Sequence, residues 1–225
     1  MSQRVAFKTS DGVAIVGDYY APAAPSEQGL LLLHMMPATR SSWRAFAEKI
    51  MAENFQVLAI DLRGHGESSG GPNGYKNFTD IEHQASYLDL EAAVGFLKSK
   101  GVSEFFLGGA SIGANLALGY LAEHAEARAA FLLSPGLDYR GVKTLDAAQG
   151  IRLGQAVYYV ASRDDVYSAD STQQLFDATP AGIKKKIKFF ETAGHGTTLF
   201  DREPAFMDTV VSWLVNPVTT RPSSR

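Results

Sequence analysis

Gly109-Ala110-Ser111-Ile112-Gly113 sets a serine between two glycines. The apolar run Phe105-Phe106-Leu107 precedes it and the helix-forming Ala114-Asn115-Leu116-Ala117-Leu118 follows. A serine on a sharp strand-to-helix turn is forced into a strained backbone conformation that lifts its hydroxyl clear of the sheet. Both flanking glycines are needed, because a Cβ at either would meet the neighbouring strand or helix. Such a serine can attack a carbonyl carbon. The N–H of Ile112, at the start of the following helix, points to where negative charge would then develop. A second donor is expected from a loop after an earlier strand, and His34-Met35-Met36-Pro37 closes the run Leu30-Leu31-Leu32-Leu33.

An attacking serine needs a base, and the chain has five histidines. His195 lies just past the strand-like Phe189-Phe190, with Gly194 and Gly196 leaving its ring free to reach across a sheet edge. His65, between Gly64 and Gly66, is its rival, although its turn-rich surroundings favour a structural role. His34 ends an apolar strand and is expected to bond backbone near the oxyanion loop. His83 and His124 fall on helices among charged neighbours and are expected in solvent. For the acid, Val157–Ala161 is followed by Ser162-Arg163-Asp164-Asp165-Val166. A carboxylate there could accept from His195 Nδ1–H, fix the ring tautomer and stabilise the imidazolium. Asp164 and Asp165 both qualify, whereas Asp61, Asp138 and Asp201 are weaker candidates.

These residues need a frame. Val5–Lys8 and Val13–Tyr20, around an Asp11-Gly12 turn, predict an antiparallel hairpin. Gly29–His34, Gln56–Asp61, Phe105–Gly109, Ala129–Ser134, Val157–Ala161 and Lys186–Phe190 read as strands. The uninterrupted leucines at 30–33 suit a strand buried on both faces of a parallel sheet. Helical spacing runs over Trp43–Asn54, Asp80–Lys100, Ile112–His124 and Glu203–Val215. This alternation predicts a doubly wound, mostly parallel α/β sheet led by an antiparallel hairpin. Between Gly136 and Gly154 there is room only for a loop and about two turns of helix, so little or no lid is expected.

The order His34-Met35-Met36-Pro37, Asp61-Leu62-Arg63-Gly64-His65-Gly66-Glu67-Ser68, Gly109–Gly113 and Gly194-His195-Gly196 resembles the α/β-hydrolase superfamily over nearly the whole chain. Within it the sequence is similar to lid-poor bacterial serine esterases, with dienelactone-hydrolase-like and acylaminoacyl-peptidase-like relatives. The resemblance implies a nucleophile after the fifth strand, an acid after the seventh and a histidine after the eighth. It also implies a Gly-x-x-Asp pattern at the seventh strand's end; with Ala161 in the Gly position, this favours Asp164 over Asp165. The implied triad is therefore Ser111, Asp164 and His195, with the amides of Met36 and Ile112 as oxyanion donors. Met35 stands where such proteins usually carry glycine, and the loop lacks the Gly-Gly-Gly run of enzymes that accept bulky alcohols.

Composition narrows the remaining classes. The chain has 225 residues, 45% hydrophobic and 20% charged, with a net charge of -3. It has no basic footprint for nucleic acid or anionic lipid. It has no cysteine, which excludes disulfides, thiolate metal sites and a cysteine nucleophile. The histidines and carboxylates lack the paired spacing of a zinc site, and neither a metal nor a cofactor is expected. No apolar run is long enough to span a bilayer and no leader pattern opens the chain, so a cytoplasmic protein is expected. Residues 1–216 are expected to form one domain and 217–225 a disordered tail. The expected activity is hydrolysis of small to medium carboxylic esters through an acyl-enzyme, with Leu137, Tyr139 and Val142 walling the leaving group. A thioesterase, a short-peptide hydrolase, an acyltransferase and a catalytically silent binding protein are the alternatives.

Overall fold

The computed structural model describes residues 2–216; the expected tail, 217–225, lies outside them. In chain order the elements are β1 (Gln3–Lys8), β2 (Ala14–Tyr20), β3 (Gln28–Leu33), α1 (Arg44–Met51), β4 (Gln56–Ile60), α2 (Asp80–Gln84) and α3 (Tyr87–Ser99). There follow β5 (Glu104–Ala110), α4 (Ile112–Glu123), β6 (Ala127–Leu133), the two-residue strands β7 (Asp138–Tyr139) and β8 (Val142–Lys143), and α5 (Leu145–Gln149). The chain continues through β9 (Ala156–Ser162), α6 (Val166–Ala178), β10 (Lys184–Phe190), α7 (Thr198–Arg202) and α8 (Phe206–Val215). Single 3-10 turns lie at Arg40–Trp43 and Gly74–Asn77.

Eight strands form one sheet in the order β1-β2-β4-β3-β5-β6-β9-β10. β1 pairs antiparallel with β2, and β2 antiparallel with β4; every other pairing is parallel. The leucine run shows why both faces must be covered. Leu31 and Leu33 pack with Leu90, Leu97, Leu116 and Leu121 on one side, while Leu30 and Leu32 pack with Trp43, Phe46 and Val210 on the other. Side chains alternate along a strand, so four consecutive leucines serve two cores. α4 is apolar around its whole circumference and is buried from Ile112 to Leu118. A helix of that kind belongs inside a fold, and here it seats the Ser111 turn against the sheet's centre.

Three elements differ from the sequence expectation. The helix expected over Asp80–Lys100 breaks at Ala85-Ser86 into α2 and α3. His83 and Asp89 are both buried, and six residues of straight helix would set them about 120° apart. The break lets both turn inward, His83 against Phe78 and Asp89 onto the Arg63 guanidinium at 2.9 Å. His83 is thus 3% exposed, not solvated. α6 carries no strong apolar stripe, because its inward residues include Ser168, Ala169, Ser171 and Thr172. Periodicity in large apolar residues cannot reveal such a helix. Finally, the segment expected to be a loop with two helical turns forms the β7–β8 hairpin and the single short helix α5. Arg140 and Gly141 make its turn with φ of 55° and 79°, as tight hairpin turns require. Among the described residues no helix is long and apolar enough to cross a membrane.

Candidate active site

Ser111 occupies the junction of β5 and α4 with φ 55° and ψ -123°, a conformation costly for any residue with a Cβ. The surroundings hold it there. Ser111 N–H donates to Leu133 O on β6 at 2.9 Å, and its own carbonyl accepts from Ala114 and Asn115 as α4 begins. A Cβ on Gly109 would collide with the backbone of Gly113 and Ala114, and one on Gly113 with the carbonyls of Leu33 and His34. The second contact ties the first turn of α4 to the loop after β3. That juxtaposition of Ile112 and the Met35-Met36 loop is what a pair of oxyanion donors needs. Within the described residues neither the Ile112 nor the Met36 N–H donates to a protein acceptor. Met35 turns its side chain against Gly196, whereas Met36 lines a cavity beside the site.

His195 sits in the loop between β10 and α7, and three hydrogen bonds shape that loop. Ala193 N–H donates to Ser162 Oγ at 2.7 Å, Gly196 N–H donates to Ser134 Oγ at 2.9 Å, and Thr198 Oγ1 donates to His195 O at 2.6 Å. Gly194 and Gly196 take φ of 75° and 58°, the left-handed values that favour glycine. The ring's Nδ1–H donates to Asp165 Oδ2 at 2.6 Å. Burial pushes the Asp165 carboxyl up, but hydrogen bonds from His195 and Ser168 outweigh it and hold the group below its usual range. Asp165 is therefore anionic at neutral pH and stabilises an Nδ1-protonated ring whose Nε2 is the basic atom.

Asp164, the residue favoured from sequence, does not touch His195. It accepts from Gly194 N–H at 3.1 Å and lies 3.5 Å from the Arg202 guanidinium, with a third of its side chain exposed. The displacement by one residue has a local cause. β9 extends through Ser162, which pairs with Phe190, and Arg163 N–H still bonds Phe190 O at 2.8 Å. The turn therefore begins one residue later than the apolar run 157–161 suggests. Asp165 then stands at the head of α6, the helix without an apolar stripe, and points back at the histidine.

Tyr139, expected as part of a wall, packs beside the histidine. Its hydroxyl bonds Ser168 Oγ at 2.8 Å and lies 3.4 Å from Ser134 O, to which it donates. Its ring stands edge-on to His195 with 6.2 Å between centroids. Burial pushes its phenol up to about 12, so it stays neutral. Ser168 also lies 3.4 Å from His195 Nδ1. Sequence reasoning did not single out Ser134, Ser162 or Ser168. The first two end parallel strands, a position that was readable, while nothing local marked Ser168.

The other histidines lie elsewhere. His65 Nδ1–H donates to Arg63 O at 3.0 Å and its ring stacks on Tyr75 at 4.1 Å. His34 donates through Nδ1 to Met35 O and accepts at Nε2 from Leu62 N–H, at 2.9 and 3.0 Å. Both bonds exist together only in the neutral ring. Burial first, then the neighbouring His65, holds the His34 pKa well below its ordinary value. An unfolded chain takes this proton near pH 6.5 and the folded one does not. The His34 contribution to stability is thus complete above about pH 6.5 and is lost as pH falls below it. Ring nitrogen spectra of the folded protein should show His34 still neutral and Nδ1-protonated at pH 6. A midpoint near 6.5 in the folded state would remove this assignment.

A mostly parallel sheet, a strained serine at the β5–α4 turn and, past the ends of β9 and β10, a carboxylate-bound histidine define the chain as an α/β-hydrolase. The chain belongs to the serine aminopeptidase family of that superfamily, described as "Serine aminopeptidase, S33", whose model matches residues 24–156. Bifunctional epoxide hydrolase 2 of Rattus norvegicus is 34% identical over 79 residues, which is 35% of this chain and 13% of that protein. An esterase of Pyrococcus furiosus superposes with a TM-score of 0.78 at 18% identity, covering 95% of this chain and 92% of the other. An enol-lactonase of Burkholderia xenovorans superposes with a TM-score of 0.73 at 16% identity over 94% of this chain and 100% of that one. At these identities the structural likeness is one of fold.

Proposed function

We propose that the protein is a serine carboxylesterase whose triad is Ser111, His195 and Asp165. The observation that carries the reading is the 2.6 Å bond from His195 Nδ1–H to Asp165 at a site that also holds a strained, glycine-flanked serine. Ser111 Oγ attacks the ester carbonyl carbon while His195 Nε2 takes the hydroxyl proton. The tetrahedral oxyanion is held by the amides of Ile112 and Met36. As the carbon–oxygen bond to the alcohol breaks, His195 returns the proton to the departing alkoxide, leaving an acyl-serine. Water then attacks the acyl carbon, with His195 again as base, and the carboxylic acid leaves. Tyr139, kept neutral by burial and edge-on to His195, walls the site.

The test is a fluorophosphonate probe followed by peptide mapping. A single adduct on the peptide containing Ser111 is expected, formed more slowly while a 4-nitrophenyl ester is present and competing for the site. No adduct on folded protein that hydrolyses such esters would sink the assignment of the nucleophile. A parallel panel of 4-nitrophenyl esters, thioesters and aminoacyl 4-nitroanilides should show the esters turned over fastest.

A further inference from the structure

A cavity of about 380 Å³ lies where the Met36-Pro37 loop, the Gly74–Asn77 turn, α2 and the tip of the β7–β8 hairpin meet. Its lining is Met36, Pro37, Tyr75, Lys76, His83 and Arg140. The charge in it has one sign. Among the described residues no carboxylate comes within ion-pair distance of Lys76 or Arg140. The nearest acids are otherwise engaged or face out. Asp138, on Arg140's own hairpin, accepts from Gly141 N–H at 2.7 Å, and Glu82 accepts from Thr79 N–H at 2.7 Å as the cap of α2. Asp80 is exposed.

The hairpin backbone that carries Arg140 is held in place, while the Lys76 and Arg140 side chains are exposed. Arg140 takes a φ of 55°, a strained value that the turn imposes. The hairpin beneath it is fastened by Asn115 Nδ2 donating to Val142 O at 2.7 Å, and by Tyr167, whose hydroxyl bonds both Asp138 N–H and Asp138 O at 3.0 Å. Lys76 Nζ lies 5.9 Å from the Tyr75 ring centroid. His83 is buried, and no side-chain partner occupies its ring nitrogens among the described residues. Burial and the Arg140 charge keep it uncharged more firmly than Asp80 and Glu82 favour its cation. A neutral imidazole donates one N–H. Two cations without carboxylate partners and one free donor around a cavity suit an anion, and the planar guanidinium fork suits a carboxylate in particular.

The cavity adjoins the oxyanion loop: Met36, the proposed oxyanion donor, lines it, and Arg140 directly follows Tyr139, which stands edge-on to His195. We propose that this cavity is a specificity subsite for a carboxylate carried by the ester substrate itself, bound by Lys76 and Arg140 with His83 as third donor. The assignment rests on the esterase reading for the fate of the bound ester, though not for the binding of the anion. It also disfavours substrates with a free α-ammonium group, which the two cations would repel.

The discriminating pair is 4-nitrophenyl hydrogen adipate and 4-nitrophenyl hexanoate, equal in length and differing in a terminal carboxylate. At low salt, kcat/KM should favour the adipate at least tenfold, and the ratio should shrink as salt screens the cations. In the Lys76→Gln, Arg140→Gln double variant the ratio should fall to about one. A wild-type ratio near one, or an undiminished ratio in folded double variant, overturns the proposal. A second readout needs no turnover: adipate dianion should raise the titration midpoint of the His83 ring in wild type and not in the double variant. If neither ester is hydrolysed yet adipate still moves His83, the esterase reading fails and the anion subsite stands. If both esters react alike and His83 ignores adipate, the subsite fails and the esterase stands.

Discussion

Ser111→Ala is expected to lower kcat for a 4-nitrophenyl ester by on the order of 10⁴-fold or more, since no acyl-enzyme can form without the hydroxyl. The fold should survive. Among the described residues no hydrogen bond ties the Ser111 hydroxyl into the fold, and Tyr139 keeps its own bond to Ser168, so the loss of stability should stay within about 1 kcal/mol. Alanine keeps the Cβ and therefore the backbone strain at φ 55°. Ser111→Gly should relieve that strain and unfold later than Ser111→Ala. Circular dichroism and thermal melts alongside initial rates separate the two effects. Turnover within tenfold of wild type, in a sample that melts normally, would end the claim that Ser111 is the nucleophile.

Asp165→Asn is expected to cost about 10³–10⁴-fold in kcat. The amide is uncharged, so it cannot stabilise the imidazolium formed as Ser111 loses its proton. It can also donate to His195 Nδ1, which would favour the tautomer whose Nε2 carries the hydrogen and cannot act as base. The neighbouring Asp164→Asn should stay within about threefold, because that side chain bonds Gly194 N–H and Arg202 at the surface, and exposed pairs of this kind contribute little. Both variants must be measured for kcat and KM separately. A loss in kcat with KM nearly unchanged is the signature of an interaction strengthened in the transition state. If Asp164→Asn proved the more damaging, the 2.6 Å contact to His195 would have to be structural.

The two carboxylates show how far sequence pattern reaches. The apolar run Val157–Ala161 locates a strand end to within a residue, and that resolution finds a loop but does not choose between adjacent aspartates. The choice depends on Ser162 staying in register with Phe190, a pairing between segments far apart in the chain. His83 teaches the same lesson on a helix. Its charged neighbours in sequence suggest solvent, but the break at Ala85-Ser86 turns it into a cavity shared with Arg140, 57 residues away by numbering. α6 eluded pattern reading because Ser and Thr do the inward packing that large apolar residues usually do.

By itself the sequence determined the parallel frame, the glycine-flanked serine at a strand-to-helix turn and the glycine-flanked histidine at a later strand end. Those features are local: alternation buries Leu30–Leu33 on two faces, and a Cβ at Gly109 or Gly113 has no room. Only the tertiary structure decided which aspartate meets His195, that Ser134 and Ser162 hold the histidine loop, and that Tyr139 stands edge-on to His195 while bonding Ser168. It also gathered Lys76, His83 and Arg140 around one cavity. The physical reason is range. Turn strain and side-chain alternation act over a few residues, whereas a hydrogen bond of 2.6 Å needs two chain segments positioned to a fraction of an ångström, and that precision comes from the packing of the whole sheet and its helices.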